Sequence, residues 1–386
     1  MALGVRARRL LLAGLAGALL LALLAVPPWL RGLAFVARAA GLKGAMAERI
    51  ARWDTGPFRE EVLHVPSRHG PLRARLYRPT RPFSRTVILT TGVHGDGIDE
   101  PRLQKLARDV AAGGLGVLTP ELPDLLRYQL SPRQPDMLED VALWAAARRE
   151  LAPDGRVGFI GISFSGGLSV VAAGRPSLRD SVAFTLSFGG HGDLSRVLSF
   201  LCTGVQPDGQ LRAPHDYGVV VILLNVADRL VPPEQVEPLR TGILTFLRAS
   251  HLAIHDAKRA EETFALARRM QASLPEPAAM LLGYVNAREV KALGALLLPR
   301  VQGFAADPAL SPERSPAPAS PVYLLHGAED TVIPAIESSL LARHLAPHTE
   351  VHLLLTPLIS HAEVDREAQA SDVWRLVGFW ARLLGT

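Results

Sequence analysis

A serine stands where an apolar, strand-like run ends and a Gly-rich, helix-compatible stretch begins. The run is Val157–Ile162, the serine is Ser163, and residues 164–167 read Phe-Ser-Gly-Gly. A sharp strand-to-helix turn needs small neighbours, because its serine adopts a strained backbone conformation. The turn lifts the hydroxyl clear of the sheet, and the next helix aims its first N–H groups at charge that develops on a substrate. The pattern is typical of a nucleophile elbow.

The match to the G-x-S-x-G template has one departure, because Ser165 stands at the fifth position and Gly166 follows it. Serine is small enough to meet the steric requirement. Ser165 could itself be the nucleophile, flanked by Ser163 and Gly167. We favour Ser163, because the run Val157–Ile162 must deliver the nucleophile at its end. A buried strand followed by an ordinary Gly-rich turn could have the same sequence. Residues elsewhere in the chain are therefore needed to distinguish the two interpretations.

Two further residues complete the pattern downstream. Residues 321–325 form a strand-like run, followed by a turn and Asp330. Residues 351–355 form another such run, followed by a loop and His361. Each candidate therefore comes just after a strand, where a parallel sheet places its ligand-facing groups. A serine, an acid and a histidine occur in that order along the chain, which is the order found in α/β-hydrolases.

On these motifs the chain resembles the α/β-hydrolase superfamily, over roughly residues 56–190 and 317–386. The resemblance implies that Ser163 attacks a carbonyl carbon. His361 would accept the serine proton and return it to the leaving group, and Asp330 would orient the imidazole and stabilise the imidazolium. Histidine suits that role because its ordinary pKa, about 6.5, lets it exchange a proton at neutral pH.

Other residues compete for the role of the acid. Glu329 precedes Asp330, but the Thr-Val-Ile-Pro that follows resembles the family's stretch after the acid. Asp193 follows the strand-like run Val182–Phe188, where some members of the superfamily place their acid; it could instead cap a helix that begins at Leu194. Two further histidines at strand ends precede the position of a triad base, and we expect them to be turn or supporting residues: His191 and His326.

Two backbone N–H groups should form the oxyanion hole. One belongs to the residue after the nucleophile, Phe164. The other comes from the loop after an earlier strand, which residues 86–97 supply with several glycines. Gly92 stands where many relatives carry His-Gly, so Val93 is the expected donor and His94 the alternative. A Gly-rich turn without a catalytic role could have the same sequence.

The N-terminal region favours a membrane anchor. An uninterrupted apolar run over residues 10–26 follows three arginines, and it adds to a mean hydropathy of +0.18. The run is short for a transmembrane helix and could be a cleaved signal peptide. Because no convincing small-x-small cleavage site precedes a polar start, we favour an uncleaved single-pass anchor. Four later arginines recur at helical spacing, which suits a helix on an anionic membrane: Arg31, Arg38, Arg49 and Arg52.

Charge and cysteine content narrow the partners further. Lysine and arginine are balanced on the two sides of the apolar run, so they do not set its orientation. We expect the catalytic domain outside the cytoplasmic membrane, because an N-terminal signal-anchor commonly leads to export.

The single cysteine, Cys202, excludes an intrachain disulfide. The net charge of +5 is scattered, without the interleaved aromatics of a nucleic-acid binder, and favours a solvated surface near anionic lipid.

The order of predicted elements gives the organisation. Strands alternating with helices predict an α/β fold with a mostly parallel, doubly wound sheet. A largely helical insertion from about residue 193 to 319 resembles the cap that shapes the pocket in many α/β-hydrolases. Within it, residues 219–224 would line an acyl pocket or pack in the cap, and the polar residues 214–218 would touch substrate or form a turn. The expected segments are 1–55 (anchor and basic segment), 56–190 (core), 191–316 (cap) and 317–386 (core).

These features predict a serine hydrolase that cleaves a carboxylic ester through an acyl-enzyme, acting on a small ester or lipophilic substrate without a cofactor. No metal-ligand spacing occurs, and the oligomeric state is not determined by the sequence. Amide hydrolysis, peptide hydrolysis and acyl transfer use the same triad. A catalytically silent, membrane-tethered binding scaffold is the alternative from another class, and the complete set of three residues in order argues against it. A transporter is excluded by the single candidate span.

Overall fold

An eight-stranded sheet lies at the centre of the fold. The computed structural model describes residues 26–254, 256–304, 306–359 and 369–385. In chain order the strands are β1 (Phe58–Val65), β2 (Leu72–Pro79), β3 (Thr86–Thr90), β4 (Gly116–Pro120), β5 (Val157–Ile162), β6 (Val182–Phe188), β7 (Val322–Gly327) and β8 (Val351–Thr356). Across the sheet they lie in the order β1-β2-β4-β3-β5-β6-β7-β8.

The direction of the strands follows from their sequences. β3 to β8 run parallel to one another, and β2 is antiparallel to both of its neighbours, β1 and β4. Every residue of β3 and β4 is buried, as expected for parallel strands that are covered on both faces. β2 instead alternates, with Leu72, Ala74 and Leu76 buried between half-exposed arginines. The predicted mostly parallel α/β sheet is confirmed.

Helices cover both faces of this sheet. In chain order they are α1 (residues 26–39), α2 (Ala45–Ala51), α3 (Pro101–Ala112), α4 (Pro123–Leu126), α5 (Arg133–Ala146), α6 (Phe164–Ala173), α7 (Leu194–Thr203), α8 (Asp216–Val226), α9 (Pro233–Leu252), α10 (Ala257–Ser273), α11 (Ala278–Asn286), α12 (Val290–Phe304), α13 (Ile336–Leu345) and α14 (Ala370–Leu384). One apolar cluster joins α1, α3 and α14 to one face. A larger cluster joins α5 and α6 to the other face and continues into α7 to α12.

The helices α7 to α12 stand in the chain between β6 and β7. Among them α8 is buried along most of its length, because its residues 219–224 are all apolar and face neighbours on every side. α12 packs against both α7 and α8, and α9 packs against α10. These helices therefore pack on one another. Through the larger apolar cluster they also pack against α5 and α6.

The first described helix, α1, packs into the protein. The ring of Trp29 lies 4.0 Å from that of Trp374 in α14, and the ring of Phe35 lies 4.2 Å from that of Trp380. Phe35 is only 1% exposed. The apolar side of α1 therefore closes one face of the core, against the helix that ends the described chain.

Two of the four arginines that suggested a membrane surface form hydrogen bonds within the protein. Arg31 donates to the Asp54 carboxylate at 2.9 Å. Arg38 donates to the backbone carbonyl of Ala51 at 2.8 Å and to that of Asp109 at 3.2 Å. The predicted partnership of this segment with a membrane is therefore not supported, because the same periodicity serves packing against α2, α3 and α14.

The membrane-anchored, single-pass localisation that residues 10–26 predicted is wrong, and one finding overturns it. Across the stretches of chain that the structure describes, no helix combines the length and the apolar character that crossing a membrane requires. Of the apolar run, only Val26 lies in those stretches, at the start of α1. The expected position of the catalytic domain outside the cytoplasmic membrane depended on the anchor and falls with it.

The packing of α1 can be tested by truncating its most buried ring. We expect Phe35→Ala to lower the free energy of unfolding by about 3–5 kcal/mol, because it leaves a cavity against Trp380. Equilibrium unfolding in urea of the full chain measures this. Met46→Ala in α2, at a side chain that is 69% exposed, is the control and should change stability by less than about 0.5 kcal/mol. Equal midpoints for the two variants would show that α1 does not belong to the core.

Candidate active site

Ser163 occupies a strained turn between β5 and α6. Its backbone angles are φ 57° and ψ −131°, in a region that residues with a side chain rarely adopt. Such a conformation costs about 1–3 kcal/mol and persists only where the surroundings enforce it. Its own N–H donates to the carbonyl of Phe188 at the end of β6, at 2.7 Å. The predicted elbow geometry is therefore present at Ser163.

Close contacts around the elbow explain its small residues. A Cβ on Gly161 would lie 2.1 Å from the backbone oxygen of Ser165, so the returning helix leaves no room for a side chain there. A Cβ on Gly167 would lie 2.5 Å from the ring of His191. A Cβ on Gly92, in the loop after β3, would come within 3.0 Å of the Ser163 Cβ. Glycine thus allows two backbone segments to approach Ser163 directly.

Ser165 has a different environment from Ser163. It lies in the first turn of α6, is fully buried, and donates its hydroxyl to the carbonyl of Thr91 at 2.5 Å. This hydrogen bond ties α6 to the loop after β3. The geometry thus favours Ser163 as the residue that presents a hydroxyl at the turn, and it gives Ser165 a structural hydrogen bond at the fifth position of the motif.

Asp330 lies in the turn after β7 and is 2% exposed. Its Oδ1 accepts the backbone N–H groups of Val332 and Ile333, at 2.8 and 3.0 Å. Its Oδ2 lies 3.3 Å from Nε2 of His326. The carbonyl of Ile333 also lies 2.9 Å from that nitrogen, and since a carbonyl only accepts, Nε2 carries the proton. That proton is donated to the Ile333 carbonyl, so two backbone N–H groups, those of Val332 and Ile333, orient the Asp330 carboxylate.

The rival acids have other partners. Glu329 has a side chain that is 58% exposed, and its carboxylate pairs with Arg212 at 3.2 Å. Asp193 caps α7, because its Oδ1 accepts the backbone N–H of Arg196 at 3.0 Å. Its Oδ2 accepts from Nε of Arg314 at 2.7 Å. Both oxygens of Asp193 thus hold the start of α7 in place, as in the alternative role that the sequence allowed.

Of the histidines that the sequence singled out at strand ends, His191 is buried and His361 lies outside the described residues. His191 is 1% exposed, its Nε2 donates to the carbonyl of Leu310 at 2.8 Å, and burial lowers its pKa, so it is a neutral packing residue. His361, the predicted base, lies outside the described residues, which stop at Ile359 before it. β8 leads toward it from beside β7, where the Ala328 N–H donates to the Thr356 carbonyl at 2.9 Å.

The loop after β3 carries the predicted second oxyanion donor. Val93 in this loop is buried, and its carbonyl accepts the hydroxyl of Tyr217 from α8 at 2.6 Å. His94 accepts the backbone N–H of Asp96 on its Nδ1, at 3.1 Å. The His94 ring stacks on that of His251 in α9, with centroids 4.1 Å apart and planes 18° apart. The loop is thus held by side chains from α8 and α9.

Sequence reasoning missed two members of this cluster. The hydroxyl of Tyr128 lies 3.2 Å from Nδ1 of His251, and Tyr128 has a positive φ of 58°. Burial raises the pKa of Tyr128 to about 12 and raises that of Tyr217 further above its ordinary value. Burial likewise lowers the pKa of His251 to about 4, so the cluster is uncharged at neutral pH. Only Tyr217 lay in a segment, residues 214–218, that the sequence had marked as polar.

A small apolar cavity of about 20 Å³ adjoins this cluster. Phe164 forms one wall, and α8 forms another with Tyr217, Val221 and Ile222. Leu201 of α7 closes a further side. A void of this size is comparable to one or two small groups, and its apolar walls do not favour water.

The sheet order, the single antiparallel strand β2 and the strained serine between β5 and α6 are those of an α/β-hydrolase fold. The resemblance predicted from the motifs is therefore confirmed for the fold.

The chain was also compared with known proteins. No protein-family model matches the chain, and a search of curated proteins also gives no match. Among solved structures, an esterase from the archaeon Pyrobaculum calidifontis is 15% identical, with 92% of this chain and 91% of that one covered and a TM-score of 0.47. An acylaminoacyl peptidase of Pyrococcus horikoshii is 13% identical, with coverages of 89% and 43% and a TM-score of 0.44. An esterase of Pyrococcus furiosus is 12% identical, with coverages of 84% and 93% and a TM-score of 0.44.

The steric demand of the elbow can be tested at Gly161. We expect Gly161→Ala to prevent the elbow from forming, because its Cβ would overlap the Ser165 backbone, and soluble folded protein should be largely lost. Gly378→Ala in α14 is the control, because a Cβ there meets nothing within 4 Å and alanine favours a helix by up to about 1 kcal/mol. Thermal unfolding of both variants measures the difference. A Gly161→Ala protein with an unchanged melting temperature would contradict the tight turn.

Proposed function

We propose that the protein is a serine hydrolase that cleaves a carboxylic ester through an acyl-enzyme intermediate. The observation that supports this most is the strained backbone of Ser163 at the turn between β5 and α6. Strain of this kind concentrates at functional sites, because ordinary packing gives no reason to retain it. In this proposal Ser163 attacks the carbonyl carbon of the ester.

The acid and the base follow in the same proposal. Asp330 orients the base and stabilises its charged form, and its carboxylate is buried and held in place by two backbone N–H groups. His361 takes the proton of Ser163 and returns it to the leaving alcohol. Water then attacks the acyl-enzyme with the same base, and the acid is released.

Charge on the tetrahedral intermediate would be stabilised by backbone donors. The N–H of Phe164 begins α6, where the helix dipole favours negative charge. The second donor comes from the loop after β3, at Val93 or at His94. That loop lies against the nucleophile, since Gly92 approaches the Ser163 Cβ without a side chain between them. Two donors worth about 10²–10³ in rate each are typical of such sites.

The cap supports an ester with a short acyl group. The apolar cavity has Phe164 in one wall and Tyr217 in another, and these residues flank the two proposed sources of oxyanion donors. An acyl chain that enters it would leave water and contact Ile222 and Leu201. With about 20 Å³ of space, the cavity has room for one or two small groups, so a short acyl chain fits it better than a long one.

Reactivity toward a fluorophosphonate probe tests the nucleophile. We expect the full-length protein to be labelled on one serine, and Ser163→Ala to abolish labelling because it removes the attacking oxygen. Ser165→Ala is the matched control and should retain labelling, although the loss of its hydrogen bond to Thr91 lowers the rate. Asp330→Asn should reduce kcat on an activated ester by about 10³–10⁴-fold.

Two results would contradict this assignment. Labelling that persists in Ser163→Ala and disappears in Ser165→Ala would move the nucleophile by two residues. Absence of labelling in folded wild-type protein would support the alternative of a catalytically silent binding scaffold.

The acyl preference can be measured with a series of p-nitrophenyl esters. We expect kcat/KM to be highest for acetate and propionate and to fall for butyrate and longer chains. Ile222→Ala should raise the ratio of butyrate to acetate several-fold, since each accommodated CH₂ contributes about 0.8 kcal/mol. The ratio is independent of the active fraction of each preparation. Leu244→Ala on the outer side of α9 is the control, and an equal ratio in both variants would place the acyl group elsewhere.

A further inference from the structure

A buried hydroxyl of the cap contacts the loop after β3 that carries Val93 and His94, which we call the oxyanion loop. Tyr217 lies in the first turn of α8, and its hydroxyl donates to the Val93 carbonyl at 2.6 Å, across 124 residues of chain. A phenol at an ordinary pKa near 10 is already protonated at neutral pH, and burial raises the pKa of Tyr217 further. The Tyr217 hydroxyl therefore always has a proton to donate to this carbonyl.

The carbonyl of Val93 and the N–H of His94 belong to one peptide unit. A hydrogen bond to the oxygen fixes the plane of this unit, and it also polarises the N–H on the other side. The plane sets the direction of the His94 N–H and constrains the backbone that carries the Val93 N–H. Either candidate for the second oxyanion donor thus depends on the Tyr217 hydroxyl.

A second contact holds the same loop from the cap. The His251 ring of α9 stacks on the His94 ring, and its Nδ1 lies 3.2 Å from the Tyr128 hydroxyl. Tyr128 maintains this position with a left-handed backbone, which costs free energy that the surrounding packing must offset. The loop is therefore held at its backbone by Tyr217 and at its side chain by His251.

We infer that Tyr217 is a positioning residue for the chemical step, through which the cap holds the oxyanion loop against Ser163. The inference rests on the proposed serine hydrolase activity. Without the hydroxyl, the Val93 carbonyl loses a buried partner and the peptide unit can rotate. The transition state would then lose part of its charge stabilisation, while the ground state, whose carbonyl carries less charge, would lose less.

The test compares Tyr217→Phe with Tyr284→Phe, which removes a hydroxyl from a half-buried tyrosine of α11 in the same cap. For p-nitrophenyl acetate and the full-length protein, we expect Tyr217→Phe to lower kcat by about ten- to a hundredfold with little change in KM. Tyr284→Phe should keep both constants within about twofold of the wild type.

A pair of inhibitors separates positioning from general loss of structure. A trifluoromethyl ketone forms a tetrahedral adduct with an oxyanion, whereas the matching methyl ketone reports ground-state binding. Tyr217→Phe should raise the Ki of the first about tenfold or more and leave that of the second unchanged. The rate constant for fluorophosphonate labelling, which does not depend on the folded fraction, should fall in parallel with kcat.

Three outcomes decide the inference. Equal kinetics for the two tyrosine variants would overturn it. A similar rise in both ketone Ki values would also overturn it, because the hydroxyl would then support the pocket in general. Failure of the wild-type protein to react with fluorophosphonate would instead remove the proposed function, and the inference would fall with it.

Discussion

The left-handed backbone at Ser163 sets conditions that the rest of the structure has to meet. A residue with a side chain adopts it only when its neighbours hold both flanking segments, and here β5 enters from the sheet centre while α6 leaves immediately. The hydrogen bond from the Ser163 N–H to the end of β6 fixes the turn from one side. Gly161 allows α6 to return so close that no Cβ fits between them. The central position of β5, buried in all but its last residue, supplies the rigidity that this arrangement needs.

The remaining parts of the site are arranged around that turn by the ends of other strands. The loop after β3 approaches Ser163 through Gly92, and the turn after β7 fixes Asp330 with backbone N–H groups. Each is a loop on a rigid strand, so its position follows from the sheet. The helices between β6 and β7 add contacts that the sheet cannot supply, since α8 and α9 hold the loop after β3 by a hydroxyl and by a stacked ring.

Local patterns were sufficient to predict the strands and the elbow. β5 and β6 have the predicted bounds, because buried parallel strands are short, apolar and bounded by turn residues. Local patterns failed at α1, where apolar residues and arginines alternate at a helical period. A membrane surface and the face of a protein core both favour that period, and only the contacts of Phe35 with α14 distinguish them. The pairing of Tyr217 with Val93 was equally out of reach, because it joins residues that are distant in sequence and leaves no local signal.

The contact between α1 and α14 brings together segments that are more than 300 residues apart in the chain. During synthesis, α1 leaves the ribosome long before α14 exists, so the apolar side that carries Phe35 must wait without its final partner. That face of the core can close only when α14 has been translated. Contacts of such long range slow folding, because chain entropy is lost before the contact is gained. The nascent chain therefore exposes the apolar side of α1 until α14 emerges.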